Sequence, residues 1–257
     1  MILGLDAPLF WLAFAVTAFA GFVKGAIGFA APMIMMSAFG SFLPGTEALA
    51  LMILPTVITN ILQAGRQGLG PALDSVRRYR LHIAMIGLFI FVSAGFATAI
   101  PQSWMMLALG LPITAFALWQ LSGRPLTIEI HHRRRVEAVS GIIGGLYGGI
   151  SGIWGPPLTV YLLSIGAPKQ EQIRVQGVVF LLGALALTVA HLASGVLNAA
   201  TLPLSAAMVL PALVGLWLGF LAQDRLDVVQ FRRWTLVLLA LTGLNLVRRA
   251  LALGLVT

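Results

Sequence analysis

The sequence predicts an all-α membrane protein of two inverted repeats, each a broken or re-entrant helical hairpin plus three transmembrane helices, about ten short segments in all. Three observations predict it. Apolar residues swamp charged ones, the apolar runs have the length of membrane spans, and one Gly/Pro pattern occurs twice at a fixed offset.

Composition comes first. Of 257 residues, 59% are hydrophobic and 9% are charged. A soluble domain carries about 25% charged residues, so most of this surface must meet lipid, and a lipid bilayer is the first expected partner. The formal charge is +8, from 16 Lys and Arg against 8 Asp and Glu. In a soluble protein that excess would point to nucleic acid or anionic partners. Here the basic residues fall between apolar runs, so orientation explains them and no nucleic acid is expected. The chain has no cysteine, which excludes disulfides and thiolate chemistry. No basic stretch precedes the first apolar run, so that run is expected to stay in the mature chain.

The apolar runs cover 8–42, 48–64, 82–100, 103–121, 138–166, 175–194, 203–222 and 233–247. Most are near the ~17–25 residues of a spanning helix. The first would make a helix of about 52 Å against a hydrocarbon core of about 30 Å. It and 138–166 carry Gly and Pro near their middles, so each is read as two short segments.

Basic residues set the orientation. Arg66, Arg77, Arg78 and Arg80 fill the connection 65–81, and Arg124, Arg133, Arg134 and Arg135 fill 122–137. Lys169 and Arg174 flank a third connection, and Arg225, Arg232 and Arg233 mark a fourth. These thirteen of the sixteen basic residues share the cytoplasmic side if each long run crosses twice or re-enters. Both termini are then outside, with Arg248 and Arg249 dissenting. The placement is a multi-pass protein of the cell inner (plasma) membrane.

Residues 21–32 read GFVKGAIGFAAP and 145–156 read GLYGGISGIWGP. Both follow G-x3-G-x2-G-x3-P, offset by 124, and the same offset pairs Pro44 with Pro168, Glu47 with Glu171, and Gly95-Phe96 with Gly219-Phe220. The repeats are taken as 1–123 and 124–257, one integrated membrane domain. The loop charges place equivalent connections on opposite sides, so the halves are inverted. Inverted repeats with interrupted segments at matching positions are the sequence signature of secondary transporters.

The breaks carry the candidate chemistry. Interrupted helices leave backbone N–H groups that must face protein or a watery cavity, and such groups at a helix start attract anions. Gly25, Gly28 and Gly152 would let a ligand approach the backbone, and Gly155 with Pro156 and Pro157 would break the second helix. Close helix packing through small residues is the alternative. Lys24, the one basic residue inside the first run, either faces a cavity and draws an anion or marks a hairpin tip. Phe29 closes the first break. Asn60, Ser151, Trp154, Tyr161 and Gln176 are further candidates to donate to an oxyanion. Glu47 and Glu171 follow Pro by three residues and read as helix caps, or as proton-coupling groups.

An enzyme is the rival class. Gly149-Ile150-Ser151-Gly152 fits the GxSG of rhomboid-type intramembrane proteases, with His191 as base. Yet Ser151 lies in a duplicated motif whose other copy has Ile27. No phosphate loop or metal-ligand cluster appears, so no cofactor or metal is expected. A passive anion channel is the nearer rival. A coupling ion (proton or sodium) or downhill flow would power transport, and a homo-oligomer stays open.

The motifs AGFVKGAIGFAAP and GGLYGGISGIWGPPLTVYLLSIG resemble the TauE/SafE family of sulfite and organosulfonate exporters, also called the toluene-sulfonate uptake permease family. The resemblance covers essentially the whole chain. It implies a small anionic substrate: sulfite, an organosulfonate, or a related sulfur-containing or organic anion.

Overall fold

The computed structural model describes residues 1–124, 131–222 and 227–254. Arg225 and the side chain of Lys169 lie outside what is described. The described residues form α1 (Ala7–Ile27), α2 (Ala31–Phe39), α3 (Gly45–Gly65), α4 (Leu69–Arg78), α5 (Arg80–Ala94) and α6 (Gln102–Leu121). After the masked connection come α7 (Arg133–Ser151), α8 (Gly155–Ser164), α9 (Lys169–Ala193), α10 (Leu202–Ala207), α11 (Val209–Ala222) and α12 (Val228–Ala252). Among the described residues, six stretches are long and apolar enough to cross a membrane: α1, α3, α6, α9, α10 with α11, and α12. The protein is a multi-pass membrane protein.

Both long apolar runs are broken. In each, a glycine in the left-handed region ends the first helix: Gly28 with φ 85° and Gly152 with φ 69°. Each donates its N–H to the carbonyl four residues back, Lys24 and Gly148, at 2.7 Å in both cases. A proline then stands in the first turn of the next helix, where its missing N–H is not needed. The pieces are unequal, however: 21 residues precede the first break and 9 follow it. The second run divides into 19 and 10. Only the second piece of each is short, because nothing in 7–27 or 133–151 stops a helix before its αL glycine.

The offset of 124 recurs in the element bounds. α1 and α7 end at 27 and 151, α2 and α8 begin at 31 and 155, and α3 and α9 begin at 45 and 169. α3 and α9 run antiparallel, with a Cβ on Gly177 meeting Ala64 and the side chain of Asn60 reaching Phe180. α6 and α12 also run antiparallel, with Gly110 against Gly243 and Gln120 against Arg232. α1 packs on α11 and α7 on α5, so the first helix of each half seats on the other half.

These last contacts explain four motif glycines. A Cβ on Gly25 would stand 2.3 Å from the carbonyl oxygen of Leu216, and one on Gly21 at 2.3 Å from that of Ala212. On Gly145 and Gly149 it would meet the carbonyls of Ile86 and Ile90 at 2.7 and 2.6 Å. Small residues there let backbones touch, which is how helices associate without a hydrophobic drive between them. Trp11, Phe19, Phe91, Trp104, Trp217 and Leu241 stay exposed, as lipid-facing residues should. The connection 65–81 holds a helix the periodicity did not show. In α4, Leu69 and Leu73 are exposed beside the basic Arg77 and Arg78, the make-up of a helix lying on a membrane surface.

Candidate functional site

The two breaks converge. A cavity of about 30 Å3 is lined by Phe29, Ala30 and Pro32 from the first break and by Gly152, Ile153, Trp154, Gly155 and Pro156 from the second. α3 adds Thr56 and Asn60, α6 adds Phe116, α8 adds Thr159 and α9 adds Phe180. The space suits about two waters.

Lys24 lies one shell out. It is buried at 2% exposure near the end of α1, and its side chain reaches across to α3. Its Nζ donates to Thr59 Oγ1 at 2.9 Å and to Asn60 Oδ1. Asn60 in turn donates from Nδ2 to the Phe180 carbonyl at 3.0 Å, which turns its carbonyl oxygen toward the lysine. Thr59 donates to the Pro55 carbonyl at 2.7 Å. Among the described residues no carboxylate lies within ion-pair distance of Lys24. A buried ammonium held by neutral acceptors lacks a counter-charge, and an anion in the adjoining cavity would supply one.

Two buried polar atoms on cavity-lining residues have no partner, Thr56 Oγ1 and Trp154 Nε1, the Nε1 edge of the indole lying against Gly183 of α9. An indole N–H can only donate, and a buried orphan costs about 1–3 kcal/mol. Each could take an acceptor only after a small side-chain shift toward the cavity. The backbone contributes on one side. The first bond into α2 runs from the Ile34 N–H to the Ala30 carbonyl at 2.9 Å, so the N–H groups of Ala31 and Met33 precede the helix ladder. In α8 the successive prolines 156 and 157 remove two such donors. Ala30 holds φ 78° without being glycine, a strained conformation of the kind that gathers at functional sites.

The sequence-predicted residues separate into groups. Phe29, Asn60, Gly152, Trp154 and Gly155 line the cavity together. Gly28 adjoins it, its carbonyl accepting from Gln63 Nε2 at 2.9 Å. Gly25 is packed on α11 and Lys24 reaches the cavity through Asn60. Gln176 lies apart, donating to Thr159 at 3.3 Å in a neighbouring pocket. Tyr161 is elsewhere, its hydroxyl bonded to Glu137 at 3.3 Å. Ser151 is occupied with the backbone: it donates to the Tyr147 carbonyl at 2.7 Å and accepts from the Ile153 N–H at 3.1 Å.

That arrangement removes the protease alternative. His191 uses one ring nitrogen on the Gly149 carbonyl at 2.8 Å and the other on Ser194 at 3.0 Å. Ser151 therefore pins the break, and no nucleophile–base pair forms between it and His191. Glu171 is a clamp at the rim, accepting from Tyr79 at 2.7 Å and pairing with Arg78 at 3.0 Å. Burial, and then the Glu171 carboxylate, push the Tyr79 phenol above its usual range. Glu47, its repeat partner, is exposed in the first turn of α3.

Residue-by-residue reading missed the rest of α3. Thr56, Thr59, Asn60 and Gln63 stand at i, i+3, i+4 and i+7. That polar stripe on an otherwise apolar helix was the available signal. Thr59 holds Lys24, and Gln63 holds the break at Gly28.

A family model described as Sulfite exporter TauE/SafE matches residues 13–246. No curated protein and no solved structure matches the chain.

Proposed function

The chain belongs to the sulfite exporter TauE/SafE family of membrane transporters, not enzymes, and on that premise we propose that it carries sulfite, an organosulfonate or a related small anion across the cell inner membrane by alternating access. One observation carries this reading: two helix breaks, each at an αL glycine with a proline four residues on, meet at a small cavity backed by a buried lysine without a carboxylate partner among the described residues. Phe29, Thr56, Asn60 and the 152–155 turn would contact the anion. The N–H groups at the start of α2 and the Trp154 indole would donate to its oxygens, and Lys24 would balance its charge through Asn60. Gly25 serves that site by seating α1 on α11, and Gln176 by facing the approach.

The two halves, 1–123 and 124–257, would be inverted repeats, and the antiparallel runs of α3 with α9 and α6 with α12 support it. Rocking one half against the other would expose the cavity to each side in turn. A cavity this small favours a carrier over a wide pore. Sulfite counterflow in proteoliposomes tests the function. Exchange-driven accumulation that saturates supports a carrier; flux linear in sulfite, with no counterflow, would leave the channel reading.

A further inference from the structure

A second pocket of about 250 Å3 adjoins the inner cavity and shares three of its walls, Phe29, Phe116 and Thr159. Gln172, Gln176 and Arg232 are the polar residues that complete it. The Arg232 guanidinium sits 5.5 Å from the centroid of the Phe29 ring and donates to Gln120 Oε1 at 3.2 Å. No carboxylate among the described residues pairs with it, and one bond to Gln120 leaves most of its donor fork unused. Gln172 and Gln176 are one turn apart near the start of α9, and Arg232 is near the start of α12. Lys169 and Arg174 stand in the first turns of α9 and Arg225 just precedes α12 in the chain, and Gln67 of the basic connection 65–81 donates to the Gln170 carbonyl, so the pocket opens on the face where the basic residues gather.

Its counterpart in the other half can be read from the 124-residue offset. Phe29 corresponds to Ile153, Thr159 to Met35, Gln172 to Ala48, Gln176 to Met52, Phe116 to Ala240 and Arg232 to Ala108. Every polar residue has an apolar equivalent. Five of the six equivalents are buried in one packed cluster, with Ala48 and Met52 at 0% exposure. One half therefore builds a polar approach where the other builds core.

We infer that this pocket is a loading site for small oxyanions on the basic-loop face, with Arg232 as its recognition residue and the Phe29 and Phe116 rings as the partition to the inner cavity. The inference rests on the transport reading. A planar fork with spare donors grips an oxyanion at two oxygens, while the ring beneath it separates loading from the inner site. The opposite face offers no cation at the equivalent position, so affinity for the anion differs between the two faces.

The test is sulfite exchange with the far side saturated, in everted and right-side-out vesicles containing the full chain. Wild type shows a KM about tenfold lower at the basic-loop face, the factor a charge-assisted contact supplies. Arg232→Gln raises that KM about tenfold, leaves the other face within about twofold, and weakens the salt dependence of uptake. Arg232→Lys recovers part of the loss, and Arg233→Gln on the exposed side of α12 changes neither face. A monodisperse Arg232→Gln protein that exchanges sulfite with wild-type KM at both faces overturns the loading site and leaves the carrier intact. Absence of sulfite exchange by wild type overturns the transport reading and the loading site with it.

Discussion

Replacing Lys24 with Met removes a buried charge while keeping most of the side chain's length. Two opposing effects on stability follow from the structure. Asn60 Oδ1 loses its donor and Thr59 loses a contact, which costs about 1–3 kcal/mol for a buried acceptor left unpaired. Against this, an ammonium no longer has to be buried, which relieves about 2.5–3.5 kcal/mol on insertion scales. The two nearly cancel, so the Lys24→Met protein should melt within about 5 °C of wild type. Sulfite binding behaves differently. At a hundred times Kd, a ligand adds about 2.7 kcal/mol to the folded state, or about 5–10 °C in a chain this long. Wild type should show that shift in a thermal scan in detergent. Lys24→Met should lose it, along with sulfite flux in proteoliposomes. A variant that melts more than about 10 °C lower yet keeps both the sulfite shift and the flux refutes the argument, and makes Lys24 a packing residue.

Four further substitutions separate the roles of neighbouring residues. Gly25→Ala drives a Cβ into the Leu216 carbonyl and should lower stability by about 1–3 kcal/mol. Gly28→Ala has open space but keeps φ 85°, costing about 1–2 kcal/mol from backbone strain alone; thermal scans without ligand should show both variants melting below wild type, and an unchanged melting temperature for Gly25→Ala would refute the α1–α11 contact. Ala30→Gly relieves the αL strain and should raise the melting temperature by a few degrees, about 1 kcal/mol; a lower melting temperature would show that the Ala30 side chain matters more than its backbone. Trp154→Phe deletes the orphan indole N–H, so its unliganded stability should hold while sulfite affinity, read by thermal shift, falls about tenfold. Unchanged affinity would remove Trp154 from the site.

Much of this architecture was readable from the chain. Glycines at 28 and 152, each followed by proline four residues on, leave a helix few options, and both helices end there. What the motif could not show is that its glycines have two jobs. Gly21, Gly25, Gly145 and Gly149 follow the same spacing as Gly28 and Gly152, yet they face neighbouring helices, and only three-dimensional packing distinguishes the sets. Lys24 stood out as a lone charge, but its partners are 35 and 36 residues away, beyond any local pattern. The α3 stripe was visible as periodicity, though its residues are individually too ordinary to attract notice. Arg232 looked like one of many basic loop residues. Its separation from them comes from the aromatic ring beneath it and the pocket beside it. α4 was hidden because its charge matched that of a loop.

Selenite, a heavier relative of sulfite with the same pyramidal shape, offers the most direct measurement. Its selenium can be located by anomalous scattering in crystals grown at saturating selenite. The account predicts a strong peak between the 29–33 segment and the 152–155 turn, within reach of Asn60, with any second peak beside Arg232. A strong peak elsewhere in the chain, with the space between the two breaks empty, would contradict it.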